Sequence, residues 1–275
     1  MHSFCYIDGE ITSGEGAKLP VSDLGLQRGF GVFDFMRTYN GKLFHPKDHL
    51  QRFRRSAAEL NLEVPLPDED LLAIGRELLE RSDLSHPALK YILTGGDAPP
   101  SSPYGQPRLV IIAENHPVYP AEVYEEGVHL LPVHFRRELP HVKSLNYMNS
   151  LRYQKQLDEK GAFDLVYYDN EGGVTETPRA NLFMVKEGIL VTPSRLVLEG
   201  ITKGIITHLA ARHYDVEERP LSMEELFECE EIFICSTSKR IIPVARLDGK
   251  PVGNGRVGTV TRHIMQLFDT YTGNW

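Results

Sequence analysis

The chain has 275 residues, of which 41% are hydrophobic and 25% charged, and its formal net charge is −8. This composition is typical of a soluble globular protein with one large or two modest domains, and the negative balance disfavours a nucleic-acid reader. The three cysteines fit no common zinc or disulfide pattern, and no group of histidines has the company that a metal site needs. The chain shows neither a signal-peptide pattern at its start nor an apolar segment of membrane-spanning length, so we expect a cytoplasmic protein with reduced thiols.

Residues 1–118 are predicted to form a smaller N-terminal α/β domain. A first strand is expected at residues 4–7 and a longer one at residues 29–39. The second strand ends in Asn40-Gly41, a dipeptide that strongly favours a hairpin turn between apolar runs. The other predicted elements of this domain are helices near residues 46–60 and 68–81 and strands at residues 88–94 and 108–113.

Arg52 lies on the flank of the apolar stripe of the first long helix. Considered alone, it could be a solvated arginine like its neighbours Arg54 and Arg55. The other interpretation is a binding role for its guanidinium group within the sequence H-L-Q-R-F.

A loop and a proline-stiffened segment close this domain. The loop at residues 95–107, GGDAPPSSPYGQP, is either a surface excursion or the cover of an active site. Two prolines, at positions 117 and 120, mark the expected domain boundary. We therefore assign residues 119–124 to a linker and residues 125–275 to a larger C-terminal domain.

The second domain contains the stretch that we expect to carry the chemistry. Lys143 follows a predicted strand at residues 128–133 and precedes a helix expected over residues 146–159. A hairpin then delivers Glu176 in the sequence T-E-T-P-R-A-N. Partial burial of a lysine in such a strand-to-helix link lowers its pKa and makes the neutral amine available for a Schiff base. This order brings an amine and a carboxylate within reach of one small molecule.

One later segment suits a phosphate group. Thr202 is predicted to cap a helix over residues 203–213, whose N-terminus offers free N–H groups and a positive dipole end. Ser236 and Thr237 follow a predicted strand at residues 231–235. Hydroxyl groups in such a place usually satisfy the backbone of a turn.

Together these motifs resemble the fold-type IV (class IV) PLP-dependent aminotransferases. The resemblance rests on K-S-L-N, D-L-V-Y-Y-D-N-E-G-G-V-T-E and N-L-F-M-V, with H-x-x-R-F before them and L-x-G-I-T and S-T-S after them, and it spans nearly the whole chain. This group holds branched-chain aminotransferases, D-amino-acid aminotransferases and aminodeoxychorismate lyase. The resemblance implies a two-domain α/β (α+β) fold of the D-amino-acid aminotransferase type, with the active site in the interdomain cleft. It also implies a homodimer whose loops complete the neighbouring site.

The resemblance further assigns roles to individual residues. It implies that Lys143 carries the internal aldimine of pyridoxal 5'-phosphate (PLP) and that Glu176 keeps the pyridine nitrogen protonated. It implies that Arg52 makes a forked contact to the cofactor phosphate. Further cofactor contacts are implied for Leu198, beneath the ring, and for Ile201, Thr202, Ser236 and Thr237, at the phosphate.

The substrate carboxylate needs arginine, lysine or backbone donors. The segment from Phe33 to Arg37 resembles the F-E-G-[IL]-R of branched-chain enzymes, and Phe33 stands where well-known D-amino-acid enzymes carry a tyrosine. Those enzymes also have an R-x-H trap in the loop that here lacks Arg and His, so Arg28 and Arg179 are expected to replace it. The charged candidates, each of which could instead be a surface charge, are Arg28, Arg37, Lys90 and Arg179.

We therefore predict a PLP-dependent transaminase that moves an amino group between a D-amino acid and a 2-oxo acid such as 2-oxoglutarate or pyruvate. The alternatives are a branched-chain L-amino-acid aminotransferase, an aminodeoxychorismate lyase, which uses the same lysine to eliminate pyruvate, and a non-catalytic binding homologue. The joint presence of Lys143, Glu176 and Arg52 argues against the last of these.

Overall fold

The structure is a computed structural model that describes residues 3–98 and 105–275. Contacts within the chain divide it into two compact units. The first unit contains the described residues up to Pro117 and also Val142–Asn146, and the second contains Val118–His141 and Tyr147–Trp275. The central residues of the loop at 95–107, from 99 to 104, lie outside the described residues.

A six-stranded antiparallel sheet forms the base of the first unit. Its strands are β1 (Phe4–Ile7), β2 (Glu10–Ser13), β3 (Gly31–Tyr39), β4 (Lys42–Leu43), β5 (Pro87–Thr94) and β6 (Arg108–Asn115). They are arranged in the order β2-β1-β6-β5-β3-β4. Asn40 and Gly41 join β3 to β4 with positive φ angles of 49° and 75°, as a tight hairpin turn requires. The predicted hairpin is thus confirmed.

Three helices accompany this sheet: α1 (Leu24–Arg28), α2 (Pro46–Glu59) and α3 (Asp68–Arg81). Pro46 occupies the first turn of α2, where its fixed φ favours a helix start. The two long helices cover one face of the sheet, because Phe53 of α2 and Leu78 of α3 pack in one buried cluster with Tyr91 of β5. Each such side chain contributes about 1.5–3 kcal/mol by its burial. Both long helices agree with the prediction.

The segment Val142–Asn146 packs with the first unit, although its place in the sequence falls within residues 125–275. Val142 is buried in the core of this unit. The backbone N–H of Leu145 donates to the carbonyl of Gly31 at 3.0 Å. A side chain on Gly31 would collide with the Leu145 side chain, since a Cβ there would lie 2.8 Å from it. The glycine at the start of β3 therefore allows this segment to lie against the strand.

The second unit is built on a mixed sheet. Its strands are β7 (Val128–His134), β8 (Asp164–Tyr168), β9 (Asn181–Lys186), β10 (Ile189–Pro193), β11 (Val216–Arg219), β12 (Glu231–Ser236), β13 (Arg240–Leu247) and β14 (Lys250–Pro251). The order is β11-β10-β9-β12-β13-β7-β8, and β14 pairs with β13. Strand β7 runs parallel to both of its neighbours, whereas β12 and β9 are antiparallel. With two sheets and intervening helices, the predicted mixed α/β (α+β) fold class is confirmed.

The helices of the second unit are α4 (Ala121–Glu125), α5 (Met148–Arg152), α6 (Gln154–Lys160), α7 (Ile201–Ala210), α8 (Met223–Glu228) and α9 (Thr259–Gly273). Most of α4 falls on residues 119–124, which the sequence placed in a linker. The single helix expected over residues 146–159 is wrong, since two short helices occupy this region. Tyr153 separates them, because its N–H bonds to the carbonyl of Ser150, three residues back, and closes the first helix.

The predicted cap of the α7 helix is also wrong. The helix begins at Ile201, its N-cap is Gly200, and Thr202 lies buried in the first turn. A Cβ on residue 200 would lie 1.9 Å from Oδ1 of Asn181, so only glycine fits there. Close packing against Asn181 therefore sets the helix start, and no side-chain hydroxyl is needed.

Candidate functional site

Lys143 is half-buried and is held by three contacts within the first unit. Its backbone N–H donates to Oγ of Ser56 at 3.1 Å, and its carbonyl accepts the N–H of Phe33 at 2.9 Å. Its Nζ lies 4.6 Å from the centre of the Phe33 ring, in a cation–π arrangement. A strand and a helix thus fix both the backbone and the direction of the amine.

A buried charge network lies beside this lysine on α2. The guanidinium of Arg52 makes a forked contact to Asp34, with Nε to Oδ2 and Nη2 to Oδ1 both at 2.8 Å. His49 Nδ1 lies 2.7 Å from Oδ1 of the same carboxylate. His49, Arg52 and Ser56 share one face of α2 because they are spaced by three and four residues. One helix face therefore carries both this network and the backbone contact to Lys143.

The pKa values in this network follow from burial and charge. Burial alone would raise the pKa of Asp34, but Arg52 and His49 outweigh it and hold that pKa well below its usual range. Burial lowers the pKa of His49 against the opposing influence of Asp34, and the charges of Arg52 and Lys143 lower it further. Asp34 is therefore ionised and His49 neutral near pH 7.

The sequence predicted that the fork of Arg52 would bind phosphate, whereas the structure places it on Asp34. Arg52 is also buried, so it is not the solvated arginine of the alternative interpretation. Its predicted phosphate contact stays a prediction. Because Nε and Nη2 of Arg52 already bind Asp34, a contact to phosphate would use the other hydrogens of the guanidinium group, unless Asp34 moves away.

Two of the predicted substrate-binding residues in the first unit are held by neighbouring side chains. Lys90 Nζ forms an ion pair with Glu114 at 2.6 Å. The Arg37 guanidinium stacks on Tyr39, 4.3 Å from the ring centre, and contacts Nε2 of His116 at 3.0 Å. Both cations thus have local partners in the sheet.

The other two candidates, Arg28 and Arg179, have exposed side chains. Arg28 is the last residue of α1, and its Nη1 donates to the neighbouring carbonyl of Gln27 at 3.1 Å. Arg179 lies in the second unit, in the turn that follows Glu176, where its backbone N–H donates to Oγ1 of Thr177 at 3.3 Å. The structure therefore separates the four cations into two held and two exposed ones.

Glu176 is buried in the second unit and collects donors from three separate segments. Arg137 Nη1 binds its Oε1 at 2.6 Å. The backbone N–H of Leu198 donates to Oε2 at 3.0 Å, and Nδ2 of Asn181 approaches the same oxygen at 3.4 Å. Hydrogen bonds with Tyr167 of β8 fix the backbone on either side of Glu176. The predicted hairpin thus delivers a fixed carboxylate.

The residues near the start of α7 are connected to this carboxylate. Asn181 Nδ2 donates to the Leu198 carbonyl at 2.9 Å as well as approaching Glu176. The first N–H groups of α7, at Ile201 and Thr202, have no partner within the helix. The structure therefore brings the predicted residues Leu198, Ile201 and Thr202 together with Glu176.

The predicted residues Ser236 and Thr237 lie in the turn between β12 and β13. Oγ of Ser236 accepts the N–H of Lys239 at 3.2 Å, so this hydroxyl supports the turn itself. No hydrogen bond connects Thr237 to another described residue. The two hydroxyl residues thus have different surroundings.

Sequence reasoning missed several residues around these groups. Arg137 could have been noticed as part of an Arg-Arg pair that precedes Lys143, and Asp34 and His49 lie within motifs that were quoted only for their neighbours. Tyr147 was also missed, although burial raises its pKa to about 12 and Arg137 and Glu176 influence it. Nothing in the sequence singles out Tyr147, because a single tyrosine before a short helix is common.

Other site chemistries find no support in the part of the chain that the structure describes. Within residues 3–98 and 105–275, no group of three His, Cys, Asp or Glu side chains is placed to hold a metal ion. The three cysteines are buried and carry free thiols. No helix among the described residues has the length and hydropathy to cross a membrane.

Comparisons with known proteins agree with this arrangement. The family model for amino-transferase class IV matches residues 31–247. A Methanocaldococcus jannaschii protein named "Putative branched-chain-amino-acid aminotransferase" is 32% identical over 281 residues, which cover 98% of this chain and 96% of that one. The D-alanine aminotransferase of Staphylococcus epidermidis is 31% identical over 273 residues, covering 97% and 96%. The branched-chain amino acid aminotransferase of Escherichia coli matches in structure with a TM-score of 0.91 at 28% identity, covering 100% of this chain and 96% of that one.

The chain therefore belongs to the class IV aminotransferases, as the resemblance indicated. Enzymes of this class use pyridoxal 5'-phosphate, and the predicted cofactor is confirmed at the level of the family. Each unit has donors that would fit a part of that molecule. The first unit has the amine of Lys143, and the second has the buried carboxylate of Glu176 for a ring N–H and the N–H groups at the start of α7 for a phosphate.

Proposed function

We propose that the protein is a transaminase that moves an amino group between a D-amino acid and a 2-oxo acid such as 2-oxoglutarate or pyruvate. The observation that carries the transaminase chemistry is the placement of Lys143, whose backbone and amine are fixed by Ser56 and Phe33. A fixed, half-buried amine can form a covalent bond to a carbonyl group and can carry a proton to and from a substrate carbon.

Each of the predicted cofactor residues has a defined task in this proposal. Glu176 holds a proton on the ring nitrogen of the cofactor, and Arg137 orients the carboxylate through its contact with Oε1. When bound, pyridoxal 5'-phosphate supplies an electron sink for charge that develops at the substrate α-carbon. Leu198 supports the ring, and the phosphate is held by Arg52, Ile201, Thr202, Ser236 and Thr237.

The preference for D-amino acids rests on the four cations. Lys90 and Arg37 already have partners in the sheet, whereas Arg28 and Arg179 are exposed. We assign the substrate carboxylate to Arg28 and Arg179, with Phe33 beside the reacting amine. The similarity to the Staphylococcus epidermidis D-alanine aminotransferase supports this choice.

A branched-chain L-amino-acid aminotransferase is the second candidate. The Escherichia coli enzyme of that name has a TM-score of 0.91, and its fold is shared over the whole chain. In this case Arg37, which ends the pattern that resembles branched-chain enzymes, would contact the substrate instead of Arg179. The two candidates therefore differ in the arginine on which turnover depends.

The proposal also includes a homodimer in the cytoplasm. The family resemblance implies that loops of a second copy complete the site. Arg28, at the exposed end of α1, is suited to such a role. The three buried free thiols fit a reducing compartment. Light scattering of the purified protein tests the dimer, and a mass of one chain would contradict it.

The first experiment is an absorbance titration of the purified, PLP-loaded protein with D-alanine and, separately, L-leucine. Loss of the band of protein-bound cofactor with D-alanine alone supports the D-amino-acid assignment, and loss with L-leucine alone overturns it in favour of the second candidate. Lys143→Ala should remove the band. Absence of the band in the wild-type protein after PLP has been added would overturn the transaminase proposal itself.

Arg179→Ala then tests the carboxylate assignment. We expect the KM for D-alanine to rise roughly 10- to 100-fold, because hydrogen bonds to charged groups contribute about 1.5–3 kcal/mol. Retention of PLP should be unchanged. Arg195→Ala is the matched control, since Arg195 is an exposed arginine of the same unit that pairs with exposed Glu171 at 3.4 Å. Equal loss of turnover and PLP retention in Arg179→Ala would contradict the assignment.

A further inference from the structure

The turn between β12 and β13 is held in an uncommon backbone conformation. Ser236 and Arg240 pair across the hairpin, and three residues lie between them. Arg240 has a φ of +58°, in the left-handed region that favours glycine. Residues with a positive φ in hairpin turns are usually glycine, asparagine or aspartate. Arginine in this position persists only when its surroundings hold it firmly.

On one side, Lys239 anchors the turn through a buried ion pair. Its Nζ lies 3.3 Å from Oδ2 of Asp164, and both residues are 3% exposed. Nζ also lies 5.9 Å from the ring centre of Phe163. Burial lowers the pKa of Lys239, and the Asp164 carboxylate opposes this change. Asp164 begins β8, so the pair connects the turn to a strand at the far edge of the sheet.

Further contacts hold the backbone of the turn. The hydroxyl of Tyr124 donates to the Lys239 carbonyl at 3.4 Å, and the Lys239 N–H donates to Oγ of Ser236 at 3.2 Å. The Arg240 guanidinium forms an ion pair with Asp269 of α9. Side chains from α4, β8 and α9 thus determine the conformation of this short loop.

The residues at the tip of the turn contrast with these supports. Thr237 and Ser238 are half-buried, and no hydrogen bond connects either of them to another described residue. Successive N–H and hydroxyl donors in a fixed turn form a concave site for an anionic oxygen. Rigid supports beneath unused donors are the expected features of a pre-organised binding element.

The ion pair is not explained by folding stability alone. A buried ion pair often stabilises a protein no more than apolar side chains of similar volume would, because both charges lose their hydration. The ion pair can instead hold the turn in a single conformation. Here the ion pair fixes Lys239, which directly follows Ser238, one of the two residues that no hydrogen bond connects to another described residue.

We propose that Lys239, through its ion pair with Asp164, is a positioning residue that holds Thr237 and Ser238 in the conformation that binds an anionic group. This inference rests on the proposed function, under which the anionic group is the cofactor phosphate. A substrate carboxylate has the same chemistry and is the other possible source. The experiment separates the two by measuring cofactor and substrate binding independently.

The test compares the wild-type protein with Lys239→Met and with the double variant Lys239→Met/Asp164→Asn. The single variant leaves a buried, unpaired carboxylate and is expected to lose stability, whereas the double variant removes both charges and should regain most of it. The measurements are the Tm of the PLP-free protein, the Kd for PLP, the KM for the amino donor, and the rise in Tm that inorganic phosphate causes. Lys186→Met is the control, since Lys186 and Glu228 also lie 3.3 Å apart in this unit but at its surface.

We expect the double variant to bind PLP about tenfold or more weakly, a change of about 1.4 kcal/mol, with a similarly reduced response to phosphate. A raised KM with an unchanged Kd would support the positioning role and identify the carboxylate as the group bound. A stable double variant with wild-type Kd and KM would overturn the inference while leaving the proposed function intact. A wild-type protein that responds to neither PLP nor phosphate would overturn both.

Discussion

Two of the buried carboxylates of this protein, Asp34 and Glu176, differ in what binds them. Asp34 lies on a regular strand, and its partners His49 and Arg52 come from one helix that packs on that strand. Glu176 lies in an irregular turn and receives its donors from separate segments of the second unit. The first network is therefore completed as soon as a strand and a helix pack, whereas the second depends on several loops.

The arginines also differ in their exposure to water. The Arg52 side chain is 6% exposed, whereas the Arg137 side chain is 22% exposed. A cation that loses its carboxylate can be hydrated in the second case but not in the first. We infer that the Asp34 network contributes mainly to folding, and that the Glu176 network contributes mainly to the chemistry of the bound cofactor.

Replacing Asp34 tests this contrast with the largest expected effect. Asp34→Ala leaves the Arg52 cation buried without its carboxylate, and we expect the free energy of unfolding to fall by about 3–5 kcal/mol. Urea denaturation of the PLP-free protein measures the change. Asp48→Ala is a suitable control, because Asp48 lies on α2, as His49 and Arg52 do, with a side chain that is 55% exposed, and its replacement should change little. A loss for Asp34→Ala no larger than that of the control would show that water reaches Arg52.

For Glu176→Gln we expect the opposite result, a large loss of activity with a smaller loss of stability. The amide keeps the shape of the side chain but no longer holds a proton on the cofactor ring, so kcat should fall roughly 100-fold, as when one pre-organised charge partner is removed. The free energy of unfolding should fall by less than for Asp34→Ala, by about 1–3 kcal/mol, because one N–H donor loses its acceptor. Steady-state kinetics and urea denaturation give the two values. Glu171→Gln, in the same hairpin but exposed, should leave both unchanged; a large loss of stability in Glu176→Gln would contradict the division of roles.

The pH dependence of stability gives a third test. The pKa of His49 is lower in the folded protein than in the unfolded chain, so the unfolded chain binds the proton more readily. Stability is therefore fully present above about pH 6.5 and falls as the pH decreases through the interval down to the folded pKa, by at most about 1.4 kcal/mol per pH unit. Asp34 also has a lowered pKa, but its contribution is lost only below about pH 4.

His49→Gln should remove the loss of stability that begins below about pH 6.5. It should retain the loss below about pH 4, which belongs to Asp34. Asp34, Arg52 and Lys143 are the charged groups that act on His49, and the lowered pKa of Asp34 keeps its carboxylate ionised between about pH 5 and 6.5. Thermal unfolding between pH 4.5 and 7.5 measures the difference between the two proteins. An unchanged slope in this interval would show that another histidine is responsible.

The contrast between the Asp34 and Glu176 networks also explains which parts of the fold and site the sequence could predict. Periodicity and turn chemistry predicted the hairpin at Asn40-Gly41 and both long helices of the first unit, because these depend on neighbours along the chain. The motif H-x-x-R-F singled out Arg52, but not its contact with Asp34, which depends on how α2 packs on β3. Arg137 could not be paired with Glu176 from the sequence, since the two are 39 positions apart and several loops lie between them.

The errors have the same physical origin. The start of α7 was misplaced because the close approach of Asn181 to Gly200 is a tertiary contact, and Thr202 is a good N-cap residue in isolation. The segment Val142–Asn146 was expected in the second domain because it follows β7 in the chain. Its core contact through Val142 and its pairing with β3 became evident only in the folded structure.

The smallest expected effect concerns the hydrogen bond that connects the helix face of the Asp34 network to Lys143. Ser56→Ala removes the acceptor of the Lys143 N–H, and we expect a loss of about 1 kcal/mol of stability. Ser82→Ala is a matched control, because Ser82 accepts the N–H of Phe4 at the same distance of 3.1 Å in the same unit. Only Ser56→Ala should also weaken PLP binding, by about fivefold if the same free energy is lost there. If both variants bind PLP as the wild type does, the bond serves folding alone, and Phe33 is the contact that positions the lysine.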